Sequence, residues 1–193
     1  MQSLRGDVRR LRANIKDAAK VIDGLGKDAG CIGAIGRDLI RVLQAGGKVL
    51  TAGNGGSAAE ALHMAEELVG RFRSNRRSLA AVALVADSTA LTCIGNDFGF
   101  DEIFRRQIEG LGRKGDMLVL FSTSGNARNL QLALEAAHKQ GLRTVCLLGR
   151  DGGKLAGKGR REMIVACQET ARIQEAHQVI LHLLLEMVEQ AFA

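Results

Sequence analysis

Three short apolar runs constrain this chain more than any other feature. Residues 48–52 (KVLTA), 116–122 (DMLVLFS) and 143–148 (RTVCLL) each have the length of a buried strand. Each ends in small residues, and the first two lead into stretches of helical periodicity, at 58–72 and 127–140. Gly141 is a natural stop for the second of these helices. Further strands are expected at 79–85 and 163–165, and a long closing helix at 171–192. Apolar strands alternating with helices build a parallel sheet covered on both faces, so the fold class is α/β. Before this unit, residues 4–45 read as helix. A Gly-studded break at 24–36 separates a first helix from a second over 39–43. With no linker, repeat or low-complexity tract, residues 1–193 read as one domain. Residues 1–46 would be helices for packing and oligomerisation, and 47–193 the sheet core with its C-terminal helix.

Composition removes several function classes. The chain is 46% hydrophobic and 25% charged, which supports a core and argues against disorder. It has 24 Gly and no Pro, Trp or Tyr, where about 10 prolines are expected at the usual frequency. No run approaches the ~20 apolar residues of a membrane span. The N-terminal stretch MQSLRGDVRRLRANIK has no apolar core, so no signal peptide is expected. Cys31, Cys93, Cys146 and Cys167 stand far apart without a CxxC pair and read as reduced thiols, which places the protein in the cytoplasm. Net charge is +6, with the densest cluster at Arg71, Arg73, Arg76 and Arg77. No nucleic-acid motif accompanies it, so these charges read as a solvated or substrate-facing surface, with no nucleic-acid or membrane partner.

Both informative loops follow a strand and open a helix, where open α/β sheets bind ligands. The first is Gly53-Asn54-Gly55-Gly56-Ser57. Glycine brings backbone N–H groups close to a ligand, and the helix start favours an anion. The second is Ser122-Thr123-Ser124-Gly125-Asn126, three hydroxyls beside a helix start. A Gly-rich turn is often only a turn, and a Ser or Thr before a helix only a cap. Neither loop has the GxxxxGK[ST] or GxGxxG spacing. Together, at two strand ends, they point to a phosphorylated small molecule.

Polar side chains on two helices supply the chemistry. His63 and Glu67, four apart, project from one face and can bind a divalent metal or pair a base with an acid. Glu66 points about 100° away around the helix. In the last helix, Gln174, Glu175, His177, Gln178 and His182 interrupt an apolar sequence. Helical spacing aligns Glu175 and Gln178 with His182 better than Gln174, and it does not choose among them.

Five segments carry a resemblance. GNGGSAAEALHMAEELVGRF (53–72), IGNDFGFDEIF (94–104), STSGN (122–126), LLGRDGGKLA (147–156) and ARIQEAHQVILH (171–182) are similar to the phosphoheptose isomerase family of the sugar-isomerase (SIS) fold. The two loops alone indicate an SIS domain. The HxxxE pair and the RIQExHxxxxH tail narrow it to the family, over nearly the whole chain. The resemblance implies a three-layer αβα sandwich with a parallel five-stranded sheet, an N-terminal helical extension, and a homotetramer whose sites are shared between subunits. It implies conversion of sedoheptulose 7-phosphate to D-glycero-D-manno-heptose 7-phosphate through an enediol. That reaction opens the ADP-heptose route to lipopolysaccharide. It implies one Zn2+ per subunit held by His63, Glu67, Gln174 and His182, choosing Gln174 where spacing left the matter open. Glu67 and His182 match the catalytic base and acid. Asn54, Gly55, Gly56, Ser57, Glu67, Asn96, Asp97, Ser122, Thr123, Ser124 and Gln174 match substrate contacts.

The chain departs from the family in two respects. Ala127 stands where a phosphate-contacting Ser is common. Arg77, Ala80 and Ala166 stand where proline is usual, so the missing prolines read as replacements, as in an engineered, simplified or biased composition. Within the same fold, a non-catalytic scaffold that binds a replication initiator lacks the pattern at Glu67 and His182, and both are present here. An isomerase or sensor for another phosphosugar is the remaining alternative.

Overall fold

The computed structural model describes residues 4–193; the first three residues of the expected 1–46 helical stretch lie outside it. Its elements are α1 (Leu4–Asp23), α2 (Ala29–Gln44), β1 (Val49–Gly53), α3 (Gly56–Val69), β2 (Ala81–Ala83), α4 (Ser88–Phe98), α5 (Arg105–Leu111), β3 (Met117–Ser122), α6 (Arg128–Lys139), β4 (Arg143–Gly149), β5 (Arg161–Val165) and α7 (Thr170–Phe192). The strands form one parallel five-stranded sheet in the order β2-β1-β3-β4-β5. β1, β3 and most of β4 are buried on both faces, which is why they read as continuous apolar runs.

Side-chain alternation along the strands divides the core in two. Val49, Met117, Val119, Phe121, Val145, Leu147, Met163 and Val165 face one layer, packed with Ile35 and Leu39 of α2, Met64 and Leu68 of α3, and Ile180, Leu181 and Leu184 of α7. Leu50, Ala52, Leu118, Leu120, Cys146 and Leu148 face the other, packed with Ile108 of α5 and Leu130, Ala133 and Leu134 of α6. The architecture is therefore the expected αβα sandwich. Burial pushes the Cys146 thiol up to about 12, and Cys31, Cys93, Cys146 and Cys167 are all free.

Three local expectations differ from the structure. The Gly-rich 24–36 stretch holds only a tight helical turn at Gly24–Asp28, and α2 then runs unbroken through Gly30, Gly33 and Gly36. Gly36 lets α7 approach closely there: a Cβ would lie 2.5 Å from the Met187 sulfur and would make that side chain shift. The expected strand at 79–85 shrinks to three residues, though Leu79 and Leu84 are still buried and bonded to neighbouring backbone. Between β2 and β3 lie α4 and α5, which no apolar periodicity announced.

Within this fold α2 belongs to the sandwich. α1 has no buried residue, and Leu4, Leu11 and Ile15 are 78%, 57% and 68% exposed. α1 touches α7, where Arg172 donates to the Asn14 carbonyl at 2.7 Å. No helix among the described residues is long and apolar enough to cross a membrane.

Candidate active site

The site is assembled where β1 and β3 end side by side, with Gly53 paired in register with Phe121. Each strand releases the chain into one of the two loops. In the first, Gly55 precedes α3, and the Ser57 amide folds back to the Asn54 carbonyl at 3.1 Å, with the Ser57 side chain buried. In the second, buried Ser122 Oγ accepts the Gly125 amide at 3.0 Å and Ser124 Oγ accepts the Asn126 amide at 3.3 Å. Gly125 is at φ +62, and a Cβ on it would strike the Gly152 carbonyl at 1.8 Å. The second loop is thus braced by the 151–155 turn, where Asn126 Oδ1 also accepts the Lys154 amide at 3.1 Å.

The two loops are tied to each other. Asn54 and Asn129 exchange amide hydrogen bonds, both at 2.9 Å. Asn129, buried in the first turn of α6, had no signal in the sequence beyond its place after a loop. Ala127 sits at the N-cap of α6 and supplies no capping side chain. Arg128 does not replace the missing hydroxyl. It pairs with Glu135 at 3.6 Å, along the exposed side of the helix.

α3 and α7 bring three of the expected residues together. His63 Nε2 lies 3.2 Å from Glu67 Oε1, one turn along α3. The His63 and His182 rings meet edge-on with centroids 5.3 Å apart. The amide of Gln178 lies between them and donates to His63 Nδ1 at 2.7 Å and His182 Nε2 at 3.0 Å. Because Nδ1 of His63 accepts, its Nε2 carries the proton and faces the Glu67 carboxylate. Glu66 is nearer this group than helical spacing indicated: ligand atoms of His63, Glu66 and Glu67 all lie within 4.8 Å of one another. Two imidazole lone pairs converging on one point are donors suited to a borderline divalent cation, while the Glu67 carboxylate faces the other nitrogen of His63. The Gln178 amide now presents positive N–H groups at that point.

The remaining expected residues are dispersed around this centre. Gln174 lies over Gly56, with its amide nitrogen 2.1 Å from where a Cβ would stand. It therefore faces the first loop, and the bonds to the imidazoles come from Gln178. Asn96 and Asp97 lie on exposed α4 and bond to each other at 2.8 Å. Sequence reading also missed a buried pair beneath the site. His177 Nδ1 faces Glu60 Oε2 at 3.7 Å, each otherwise without a hydrogen-bond partner, while His177 Nε2 is 3.2 Å from the Leu148 carbonyl. Glu60 and His177 lie over 100 positions apart, so local spacing carried no trace of the pair.

A parallel β2-β1-β3-β4-β5 sheet with a Gly-rich loop and a hydroxyl-rich loop at two adjacent strand ends defines a class, and residues 13–149 match the SIS domain family. The phosphoheptose isomerase of Geobacter sulfurreducens is 47% identical over 93% of this chain and 96% of its own. That of Geotalea daltonii is 45% identical over 95% and 96%. Among solved structures, a phosphoheptose isomerase from Francisella tularensis superposes with a TM-score of 0.91 at 30% identity, covering 95% of this chain and 98% of that one. The phosphoheptose isomerase of Neisseria gonorrhoeae gives 0.88 at 38% identity over 94% and 98%. The chain belongs to the phosphoheptose isomerase family.

Proposed function

We propose that the protein is an aldose–ketose isomerase that converts sedoheptulose 7-phosphate to D-glycero-D-manno-heptose 7-phosphate, with residues 1–193 acting as one domain. The observation that carries this reading is the contact of His63 with both Glu67 and His182, while Gln174, on the same helix as His182, lies over the first anion-suited loop.

The reaction moves a proton between C1 and C2 through an enediol. It needs a base at carbon and an acid at oxygen. Glu67, partly buried near the end of α3 and paired with His63, takes the C1 proton and returns it to C2. His182 supplies or polarises a proton at the substrate oxygen. The 53–57 loop, with Ser57, and the hydroxyls of Ser122, Thr123 and Ser124 hold the phosphate, which fixes the register of the sugar chain. Asn54, Gly55 and Gly56 contact the substrate from the first loop, together with Gln174, which lies over Gly56. Asn96 and Asp97, exposed in one subunit, fit contacts made across an interface, as in a homotetramer with shared sites.

His63, Glu67 and His182 would hold one zinc ion per subunit, with Gln174 joining them only by turning from its place over Gly56. Zinc bound there supplies Lewis-acid polarisation of the substrate oxygens. The product would enter the ADP-heptose route to lipopolysaccharide in the cytoplasm.

The test is turnover. Protein supplied with zinc is expected to form an aldoheptose phosphate from sedoheptulose 7-phosphate, to lose activity with a chelator, and to regain it with zinc. Glu67→Gln is expected to lower kcat by about 10²- to 10⁴-fold. A zinc-loaded protein that forms no product overturns the reading, and a fully active Glu67→Gln overturns Glu67 as base.

A further inference from the structure

The segment that leaves α3, residues 70–77, is gripped from both sides. Arg76 folds back on the end of the helix. Its Nη1 donates to the Leu68 carbonyl at 3.0 Å and the Arg77 carbonyl at 2.9 Å, and its Nη2 to the Glu67 carbonyl at 2.5 Å. These include carbonyls that a helix end leaves without partners. On the other side Glu189 of α7, 7% exposed, spends both carboxylate oxygens on the segment. It accepts the Arg73 amide at 2.8 Å and the Ser74 amide at 2.5 Å. Glu186, one turn earlier, pairs with Arg73 at 2.6 Å. Between these anchors Phe72 lies with its ring centroid 5.6 Å from that of His182.

We propose that Arg76 and Glu189 are positioning residues for the isomerisation: they clasp residues 70–77 so that the end of α3, carrying Glu67, and α7, carrying His182, keep a fixed separation. The proposal rests on reading Glu67 and His182 as the base and acid. Elsewhere α3 meets α7 through apolar side chains such as Met64, Leu68, Ile180 and Leu184, and through the single short hydrogen bond from Gln178 to His63. The apolar contacts are non-directional and tolerate sliding. Charge-assisted bonds to fixed backbone atoms are directional and short. The clasp therefore adds register at the C-terminal end of α3, one turn beyond the Gln178–His63 bond, where apolar packing does not define it. Neither residue touches the Glu67 carboxylate or the His182 ring, so substrate binding by the two loops is left as it is.

Glu189→Gln keeps the side-chain shape but turns an NH2 toward one of two backbone N–H groups. Arg76→Lys keeps the charge and reaches fewer carbonyls. Each is expected to lower kcat by about 10- to 100-fold, the scale of a 1 Å misplacement of reacting groups. KM should stay within about twofold, and circular dichroism should show a folded protein. Because the two act on one segment, the double variant should lose little more than the worse single one. Unchanged kcat in the folded variants overturns the clasp, as does a rise in KM with kcat intact. Should Glu189→Gln not fold, Arg76→Lys alone decides by the same readout. Glu67→Gln, assayed alongside, separates the two claims. If it is active, the acid–base reading falls. If it is inactive while Glu189→Gln turns over normally, only the clasp falls.

Discussion

Ala127 is the residue at which this chain is weakest by its own local logic. It occupies the N-cap of α6 with extended backbone at φ −63, ψ 125, and offers no side-chain oxygen to the first-turn amides. A Ser there would accept one of them. Ala127→Ser is expected to stabilise the protein by about 0.5–2 kcal/mol, read from denaturant midpoints. It also adds a hydroxyl at the mouth of the second loop, so KM for the sugar phosphate should fall. A lower midpoint would show that the hydroxyl is sterically excluded. At this scale, what the sequence disclosed depended on distance along the chain. His63 and Glu67 lie one helical turn apart, and their contact follows from helical geometry. Gln178 was legible only as a neighbour of His182, and its bond to His63 crosses 115 positions. The same holds for Asn54 with Asn129, Glu60 with His177, and Glu189 with Arg73 and Ser74. Such partners are fixed by packing of whole elements.

Elements were legible in proportion to how strongly burial stamps a period on them. β1, β3 and β4 lie at the centre of the sheet, and their apolar runs gave them away within one or two residues. α4 has no fully buried residue and only Leu91 and Ile94 packed on the core, too few for a stripe to stand out. β2 is an edge strand of three residues, too short for alternation to show. α2 was partly hidden because its glycines read as breakers, whereas Gly36 marks close helix contact. The join between α2 and the far strands depends on Asp38. Its nearly buried carboxylate bonds to Arg41 and, at 2.8 Å, to Arg161 of β5, with Arg143 of β4 at 3.7 Å. Burial pushes its pKa up, but hydrogen bonds from Arg161 and Arg41 and their charges outweigh this and hold it below the usual carboxylate value. A carboxylate with a depressed folded pKa contributes stability that is full above its unfolded pKa of about 3.9 and is lost as pH falls through the folded value. Asp38→Asn should therefore cost about 1–3 kcal/mol at neutral pH and little in strong acid, compared by denaturation at both. Equal losses at the two pH values would assign the effect to shape alone.

The whole molecule raises a question that one subunit does not answer by itself: what stabilises α1. A helix of 20 residues gains most of its stability from packing, yet its Leu4, Val8, Leu11 and Ile15 stripe lies in the open. Beside it, Ile22, Leu25, Ile32, Val179, Leu183 and Met187 line a groove of about 440 Å³. Both features fit burial against further copies in the homotetramer proposed above. Ile15→Arg should then leave the sandwich folded, since no core residue is touched, while light scattering shows smaller species. Retention of the full assembly would place the interface elsewhere. The missing prolines act at the same scale through the unfolded chain. Ala80 is exposed and precedes an edge strand, where proline is tolerated, and its carbonyl accepts the Val49 amide at 2.9 Å, a bond that proline keeps. Ala80→Pro removes backbone freedom from the unfolded ensemble without removing that bond. It should raise stability by about 0.4–1 kcal/mol with kcat and KM unchanged. A loss of stability instead would mean that the local backbone cannot adopt proline's φ, and that the chain's proline-free composition has reshaped the entry to β2.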